Sequence, residues 1–97
     1  MKRLVVSKAA EADLDEIGVS IAVDNPQRAI TFIIELEAKA AQAAERPRSF
    51  PARDDLGTGV RSALHRPYLV LFEEEEDAVR ILRIVHGHRD LGRITLD

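Results

Sequence analysis

Tyr68-Leu69-Val70-Leu71-Phe72 is an unbroken apolar stretch in a chain of 97 residues, 32% of which are charged. A solid apolar run of this length, without alternation to polar residues, is typical of a strand that is buried on both faces. Pro67 breaks the chain before it, and an acidic segment, Glu73–Asp77, follows it. The stretch therefore predicts the central strand of a sheet.

Two further strands are predicted on either side of this stretch. Val60 to His65 precedes it, and Val79 to His86 follows it and ends at Gly87. Because the links between the three strands are short, we expect an antiparallel meander. The acidic link, Glu73–Asp77, is polar enough to form a solvated hairpin turn.

The N-terminal half predicts one strand and a first helix. Leu4-Val5-Val6 is a short apolar run, which indicates a buried strand. Ser7 is a good N-cap, and the acids after it lie toward the positive end of the helix dipole. The predicted apolar stripe consists of Ala10, Leu14, Ile17 and Ile21, and the acids are Glu11, Asp13, Asp15 and Glu16.

A second helix is predicted to begin at Asn25-Pro26 and to run to about Glu45, since Pro47 forbids its continuation. The short joint between the two helices predicts a hairpin. Residues 46–59 have the composition of a loop. The predicted inner stripe of this helix consists of Ala29, Phe32, Ile33, Leu36, Ala40 and Ala43.

The element order is therefore β-α-α-β-β-β. This order predicts an α+β fold in which a helical hairpin covers one face of an antiparallel sheet. Ninety-seven residues suffice for one domain, so we expect residues 1–97 to form a single unit.

Composition limits the classes of function. The chain has no cysteine, which excludes disulfides and thiolate metal sites and suits a reducing cytoplasm. Its apolar runs are too short for a signal peptide or a membrane span, so we expect a cytoplasmic protein. Residues 8–45 carry eight acids and three bases, whereas residues 46–66 carry five arginines and two acids. Arginine pairs well with carboxylates or phosphates, so the basic region is a candidate binding surface.

Several short motifs follow one another along the chain in a recognisable order and spacing. They are Asp24-Asn25-Pro26, Arg46-Pro47-Arg48-Ser49-Phe50-Pro51, Asp54-Asp55-Leu56-Gly57, Val60-Arg61-Ser62, Pro67-Tyr68 and the segment from Arg80 to Asp90. As an ordered set in a β-α-α-β-β-β frame, they resemble the ParE branch of the RelE/ParE toxin superfamily. The resemblance extends over nearly the whole chain.

This resemblance implies the toxin of a type II toxin–antitoxin system. Its implied partner is a cognate antitoxin with a DNA-binding N-terminal domain and a C-terminal segment that wraps the toxin, so that the two form a hetero-oligomer. ParE-type members are associated with inhibition of DNA gyrase, which arrests growth without an enzymatic step or a cofactor. RelE-type relatives instead cleave messenger RNA on the ribosome. A third alternative is a non-toxic module that only assembles with its antitoxin. The fold alone does not decide between these activities.

The ribonuclease alternative would need a base, cations for the phosphate and an acid for the leaving oxygen. Its candidate residues are Arg61, Arg83 and His86, with His65 in reserve. RelE-type sites often combine lysines with a tyrosine near the C-terminus, whereas lysine occurs here only at positions 2, 8 and 39, and Tyr68 is the one tyrosine. In a regular strand, Arg83 and His86 would also point to opposite faces. We therefore favour the gyrase interpretation and expect no direct binding of nucleic acid.

Arg61 and His65 share one face of their predicted strand, and Arg66 follows at the turn. With Arg83, they are the predicted surface for the antitoxin or the target. The alternative for Arg61 is a structural ion pair with Asp54 or Asp55.

Three other motifs have structural explanations. His86-Gly87-His88 offers too few ligands for a metal, so no metal site is expected. Arg89-Asp90 is expected to be a local ion pair, and Asp54-Asp55 is expected to shape a turn.

Overall fold

A computed structural model of the chain describes residues 2–87 and Leu96. Strand β1 is followed by two helices, a short 3-10 helix and three further strands. Within the described residues, no helix combines the length and the hydrophobicity that a membrane span requires. The elements are β1 (Arg3–Val6), α1 (Lys8–Ala22), α2 (Pro26–Glu45), the 3-10 helix (Pro47–Ser49), β2 (Val60–His65), β3 (Tyr68–Glu74) and β4 (Ala78–His86).

The strands form one sheet in the order β1-β4-β3-β2. Strands β2, β3 and β4 are antiparallel neighbours, which confirms the predicted meander. The central position of β3 is also confirmed, because Val70, Leu71 and Phe72 are completely buried. The sheet as a whole is mixed, since β1 joins it parallel to β4 with Leu4 opposite Val79.

The prediction that Leu4-Val5-Val6 is a buried strand was wrong. Strand β1 lies at the edge of the sheet, Leu4 is 37% exposed, and Val5 and Val6 are only partly buried. A short apolar run indicates a strand but does not tell whether neighbours cover it on both sides. The parallel pairing with β4, which depends on a connection through both helices, places β1 at the border.

Both predicted helical stripes are confirmed as the core-facing sides of the hairpin. Ser7 caps α1 by accepting a hydrogen bond from the backbone N–H of Ala10, and Asn25 caps α2 in the same way through Arg28. Leu36 and Ala43 are fully buried against the sheet. The residues that form this main core are Ala10, Ile17, Phe32, Leu36, Ala40, Ala43, Ala44, Ala63, Val70, Phe72, Val79, Ile81 and Ile84.

The opposite face of the sheet carries a second, smaller apolar cluster. Leu71 and Val60 lie at its centre, and Leu56 and Leu96 pack against it. The remaining members are Leu69, Leu82 and Val85. The sheet is therefore apolar on both faces, which explains why β3 has no alternation of polar and apolar residues.

Part of the segment predicted as a loop is regular. It contains the 3-10 helix Pro47–Ser49, and it then runs along the outer edge of β2. The N–H of Ser62 donates to the carbonyl of Pro51 at 3.1 Å, and the N–H of Arg53 donates to the carbonyl of Val60 at 2.7 Å. These bonds cover an edge that would otherwise expose unpaired backbone groups.

Two glycines make a matched test of this fold. A Cβ added to Gly18, in the middle of α1, would lie 3.6 Å from Ile33 Cγ1, an ordinary van der Waals contact. We expect Gly18→Ala to stabilise the protein by about 1 kcal/mol, because alanine favours helix. At Gly59, φ is +82°, so Gly59→Ala should destabilise by about 1 kcal/mol although nothing lies near the added carbon. Urea unfolding of both variants measures the two effects, and a stabilising Gly59→Ala would contradict the backbone assignment.

Candidate functional site

Arg83 is held by a carboxylate on the first helix. Its Nε donates to Asp13 Oδ2 at 2.7 Å, and its Nη2 donates to Asp13 Oδ1 at 3.0 Å. The backbone N–H of Ile84 donates to the same Oδ2 at 2.9 Å. Asp13 is only 8% exposed. Helix α1 therefore places a buried carboxylate beside the centre of β4, where three donors bind it.

This role of Asp13 was not predicted from the sequence. Asp13 was expected to be one of the acids that favour the N-terminal end of α1, whereas in the structure it is buried between α1 and β4. A signal was present, because Asp13 precedes Leu14 and lies one turn before Ile17, on the inner side of the helix. An acid at such a position needs a cationic partner, and that partner is 70 residues away in sequence.

A β-bulge interrupts the register between β3 and β4. Leu71 lies opposite Arg83 and Phe72 lies opposite Ile81, so Leu82 is the extra residue. Beyond the bulge, the His86 ring packs at 5.6 Å from the Tyr68 ring, which in turn packs on Phe32 of α2.

From Arg83 to His86 the pairing with β3 is regular, so the bulge does not alter the alternation between these two residues, and the expectation that they point to opposite faces stays a prediction. Arg83 reaches α1 through Asp13, and His86 reaches the α2 side through Tyr68. Both contacts lead to the helical hairpin.

Arg61 also serves the internal structure. Its Nη1 donates to the backbone carbonyl of Phe50 at 2.7 Å, which ties the loop after the 3-10 helix to β2. The alternative expected for Arg61 was a structural ion pair with Asp54 or Asp55. A structural role is confirmed, but the partner is the Phe50 carbonyl rather than either aspartate. Asp55 is instead bound by Arg53 at 3.0 and 2.9 Å, and this contact lowers the pKa of the Asp55 carboxyl.

His65 lies against α2 rather than on an open surface. Its Nε2 is 2.8 Å from Glu35 Oε1, and its ring is 5.0 Å from the Phe32 ring. Glu35 also accepts two hydrogen bonds from Arg28, at 2.7 and 3.2 Å. The hydrogen bonds from Arg28, and to a smaller extent the contact with His65, lower the pKa of Glu35 below its usual 4.5. The stability that the ionised Glu35 contributes is therefore present above pH 4.5 and is lost as pH falls through the lowered pKa.

The face shared by Arg61 and His65 was predicted to be open to a partner. In the structure it faces the helices, since Ala63 between them is completely buried in the main core. Arg66, at the β2–β3 turn, is exposed, and it has no ion-pair partner within residues 2–87. Of the four residues predicted for binding, Arg66 is thus the one whose charge is most open to solvent.

The acidic turn is less solvated than predicted. Glu74 Oε2 is 2.9 Å from Lys2 Nζ, and its Oε1 accepts from Arg48 at 3.1 Å, so that both cations lower the pKa of Glu74. Glu75 accepts from Arg80 at 3.0 Å. Strand β3 accordingly extends to Glu74 rather than ending at Phe72.

The described residues contain no group of three side chains that could hold a metal ion. His88, Arg89 and Asp90 lie outside the described residues, and so does the ion pair that was predicted for the last two. Among the rest, three of the four residues considered for phosphate chemistry have internal partners: Arg61 binds a carbonyl, and Arg83 and His65 each contact a carboxylate. The arrangement favours rigid support of a surface over proton transfer to a bound substrate.

Removing Asp13 should show how much the buried contact contributes to stability. We expect Asp13→Ala to lower the free energy of unfolding by about 3 kcal/mol, because Arg83 and the Ile84 N–H would lose their acceptor. Asp15→Ala removes a more exposed acid from the same helix and should change stability by less than about 0.5 kcal/mol. Chemical denaturation measures both, and equal effects would show that the Asp13 contact is unimportant.

The chain was compared with known protein families, sequences and structures. Residues 4–91 match the family described as the ParE toxin of the type II toxin–antitoxin system parDE. A search of curated protein sequences found no match.

Two solved structures are similar to this chain. A structure described as the chromosomal ParDE toxin–antitoxin system from P. aeruginosa matches with a TM-score of 0.78 and 26% identity, covering 89% of this chain and 96% of that one. The toxin–antitoxin complex RelBE2 from Mycobacterium tuberculosis matches with a TM-score of 0.64 and 22% identity, covering 88% and 96%. The second likeness shows the fold alone. The family match spans nearly the whole chain, and the chain therefore belongs to the ParE toxins of type II toxin–antitoxin systems, within the RelE/ParE superfamily.

Proposed function

We propose that this ParE-type toxin arrests growth by binding DNA gyrase and inhibiting it, without a chemical step of its own. The observation that carries the proposal is the engagement of the two strand arginines in internal contacts. Arg83 is bound twice by Asp13, and Arg61 is bound by the Phe50 carbonyl. A ribonuclease would need such cations to face the scissile phosphate.

The other groups that a RelE-type site uses are also placed elsewhere. Lys2 is bound to Glu74, and Lys8 and Lys39 belong to the helices rather than to the sheet. Tyr68 packs edge-on against Phe32 and His86. These positions support a protein that acts by binding.

One observation favours the second candidate, ribosome-dependent cleavage of messenger RNA. Arg83 and His86 both contact groups on the side of the helices, since Arg83 pairs with Asp13 of α1 and His86 packs on Tyr68. If Asp13 released Arg83, an arginine and a histidine could face one phosphate. Release would leave the buried Asp13 carboxylate without its partner, at a cost of several kcal/mol. For this reason we rank this function second.

The family implies a partner as well as a target. We propose that a cognate antitoxin, with a DNA-binding N-terminal domain, neutralises the toxin by forming a hetero-oligomer with it. In this complex we assign a contact to the β2–β3 turn, where Arg66 is exposed and His65 is partly buried. Arg61 and Arg83 would support this surface from below rather than touch the partner.

The target can be tested with purified components. We expect the toxin to inhibit supercoiling by gyrase in a dose-dependent way, and to leave translation by a purified ribosome system unchanged. In cells, expression should induce the DNA-damage response and filamentation, and co-expressed antitoxin should suppress both. The non-toxic alternative predicts normal growth and normal supercoiling at saturating toxin.

The ribonuclease alternative makes the opposite prediction in the same assays. Translation would stop, and cuts would map to codons in the ribosome. Loss of those cuts in Arg83→Ala or His86→Ala toxin, with folding verified by circular dichroism, would overturn the gyrase proposal.

The partner surface is tested by charge reversal at Arg66. We expect Arg66→Glu to weaken antitoxin binding at least tenfold, because charged groups at an interface must be matched by the partner. The control is Glu76→Arg, an exposed position in the turn at the other end of β3, which should bind like the wild type. Calorimetry measures both affinities. Unchanged binding by Arg66→Glu, or weaker binding by Glu76→Arg, would place the contact elsewhere.

A further inference from the structure

A small apolar cavity, which we call the β1 cavity, lies where the helical hairpin meets strand β1. Its volume is about 160 Å³. The base of the cavity belongs to the main core, because each of the residues there is at most 5% exposed. These residues are Leu36, Ala40, Ile81 and Ile84.

Two features of the fold leave this space open. Ala40 has only a methyl group at a buried position of α2, where a longer side chain would fill the cavity. Strand β1 lies at the border of the sheet, so Leu4 in the cavity wall is 37% exposed. Val6 of β1 and Leu14 of α1 complete the wall. The cavity therefore combines an apolar interior with an opening to solvent.

The lining of the β1 cavity includes one charged residue. Glu37 of α2 is exposed, and the other side chains that line the cavity are all aliphatic. Within the described residues, Glu37 forms no ion pair, whereas Glu35 on the same helix is bound by Arg28. A ligand that places a cation at the opening would give Glu37 a partner.

We propose that the β1 cavity binds a small amine with a single aromatic ring, of the size of benzylamine. An apolar cavity of about 150 Å³ stays dry and binds benzene, so one ring fits this space. Water is a poor occupant, because it needs several polar partners and Glu37 is the one polar side chain in the lining. A rigid ring also loses little conformational entropy when it binds.

Size and charge define the molecules that the cavity should reject. A two-ring amine would have to push apart close-packed core residues at the base, which is unfavourable. An aromatic carboxylate would face Glu37 and be repelled. A neutral aromatic alcohol would fill the interior but leave Glu37 without a cation. The inference does not rest on gyrase as the target, and it concerns a site distinct from the Arg66 turn.

The test is a titration of the full-length toxin with four probes, followed by NMR of the isoleucine methyl groups. The probes are benzylamine, benzyl alcohol, benzoate and naphthylmethylamine. We expect benzylamine to bind more tightly than the alcohol by about threefold or more, and more tightly than benzoate and the two-ring amine by about tenfold or more. The largest shifts should occur at Ile81 and Ile84, and added salt should reduce the preference for the amine.

Variants of the toxin locate the binding. Ala40→Leu should fill the cavity and abolish binding of benzylamine without lowering the melting temperature, because the added side chain occupies empty space. Ala40→Val adds a smaller group and should weaken binding while straining the core less. The matched control is Ala41→Leu, which adds the same side chain at the neighbouring exposed position and should bind like the wild type. Glu37→Gln should bind benzylamine and benzyl alcohol equally.

Three results would overturn the proposal: no binding of any probe, equal affinity for benzylamine and benzoate, or binding of benzylamine that persists unchanged in both Ala40 variants. Tighter binding of the two-ring amine than of benzylamine would likewise contradict the size of the site. Neither the probes nor these measurements involve gyrase or the antitoxin, so the outcome is independent of the proposed function.

Discussion

The carboxylate of Asp13 joins the first helix to the centre of the sheet, and much of the structure depends on this contact. It accepts two hydrogen bonds from the Arg83 guanidinium and one from the backbone N–H of Ile84. A buried charge is tolerated only when it is paired and fully hydrogen-bonded, and here three donors converge on it. The contact lies beside the bulge of β4, where the extra residue, Leu82, interrupts the regular register. Because of the bulge, Ile81 and Ile84 both face the helices, while Leu82 and Val85 pack in the cluster on the other side.

The same contact limits what the protein can do. An arginine that neutralises an internal carboxylate cannot also neutralise a substrate phosphate without leaving that carboxylate unpaired. Arg61 and His65 are limited in the same way, because their side chains are used to join strand β2 to neighbouring segments. In the described part of the chain, the exposed Arg66 at the β2–β3 turn remains open to a partner, and such a position suits recognition of another protein.

Local patterns in the sequence predicted most of the fold. Apolar stripes at helical spacing identified the inner faces of both helices, and the caps Ser7 and Asn25 located their starts. The run from Tyr68 to Phe72 identified the central strand. The errors arose where non-local contacts decide. The edge position of β1 depends on its parallel pairing with β4, and the partner of Arg83 is Asp13, which is 70 residues away in sequence.

For the candidate site, the sequence named the right arginines but not their environments. Arg61, His65 and Arg83 were expected on a partner-facing surface, whereas their contacts are with Phe50, Glu35 and Asp13. Residue type alone cannot distinguish an arginine that awaits a ligand from one that serves a buried acid. The acid itself was visible in the sequence, on the inner side of a helix, and its need for a partner was the signal that could have been used.

The most direct measurement is a double-mutant cycle between Asp13 and Arg83. The free energy of unfolding would be measured for the wild type, Asp13→Ala, Arg83→Ala and the double variant. If Arg83 is held by Asp13, the double variant should be more stable than the sum of the single effects predicts, with a coupling of about 1.5 kcal/mol or more. Additive effects, within about 0.5 kcal/mol, would contradict the account and would leave Arg83 available for a substrate or a partner.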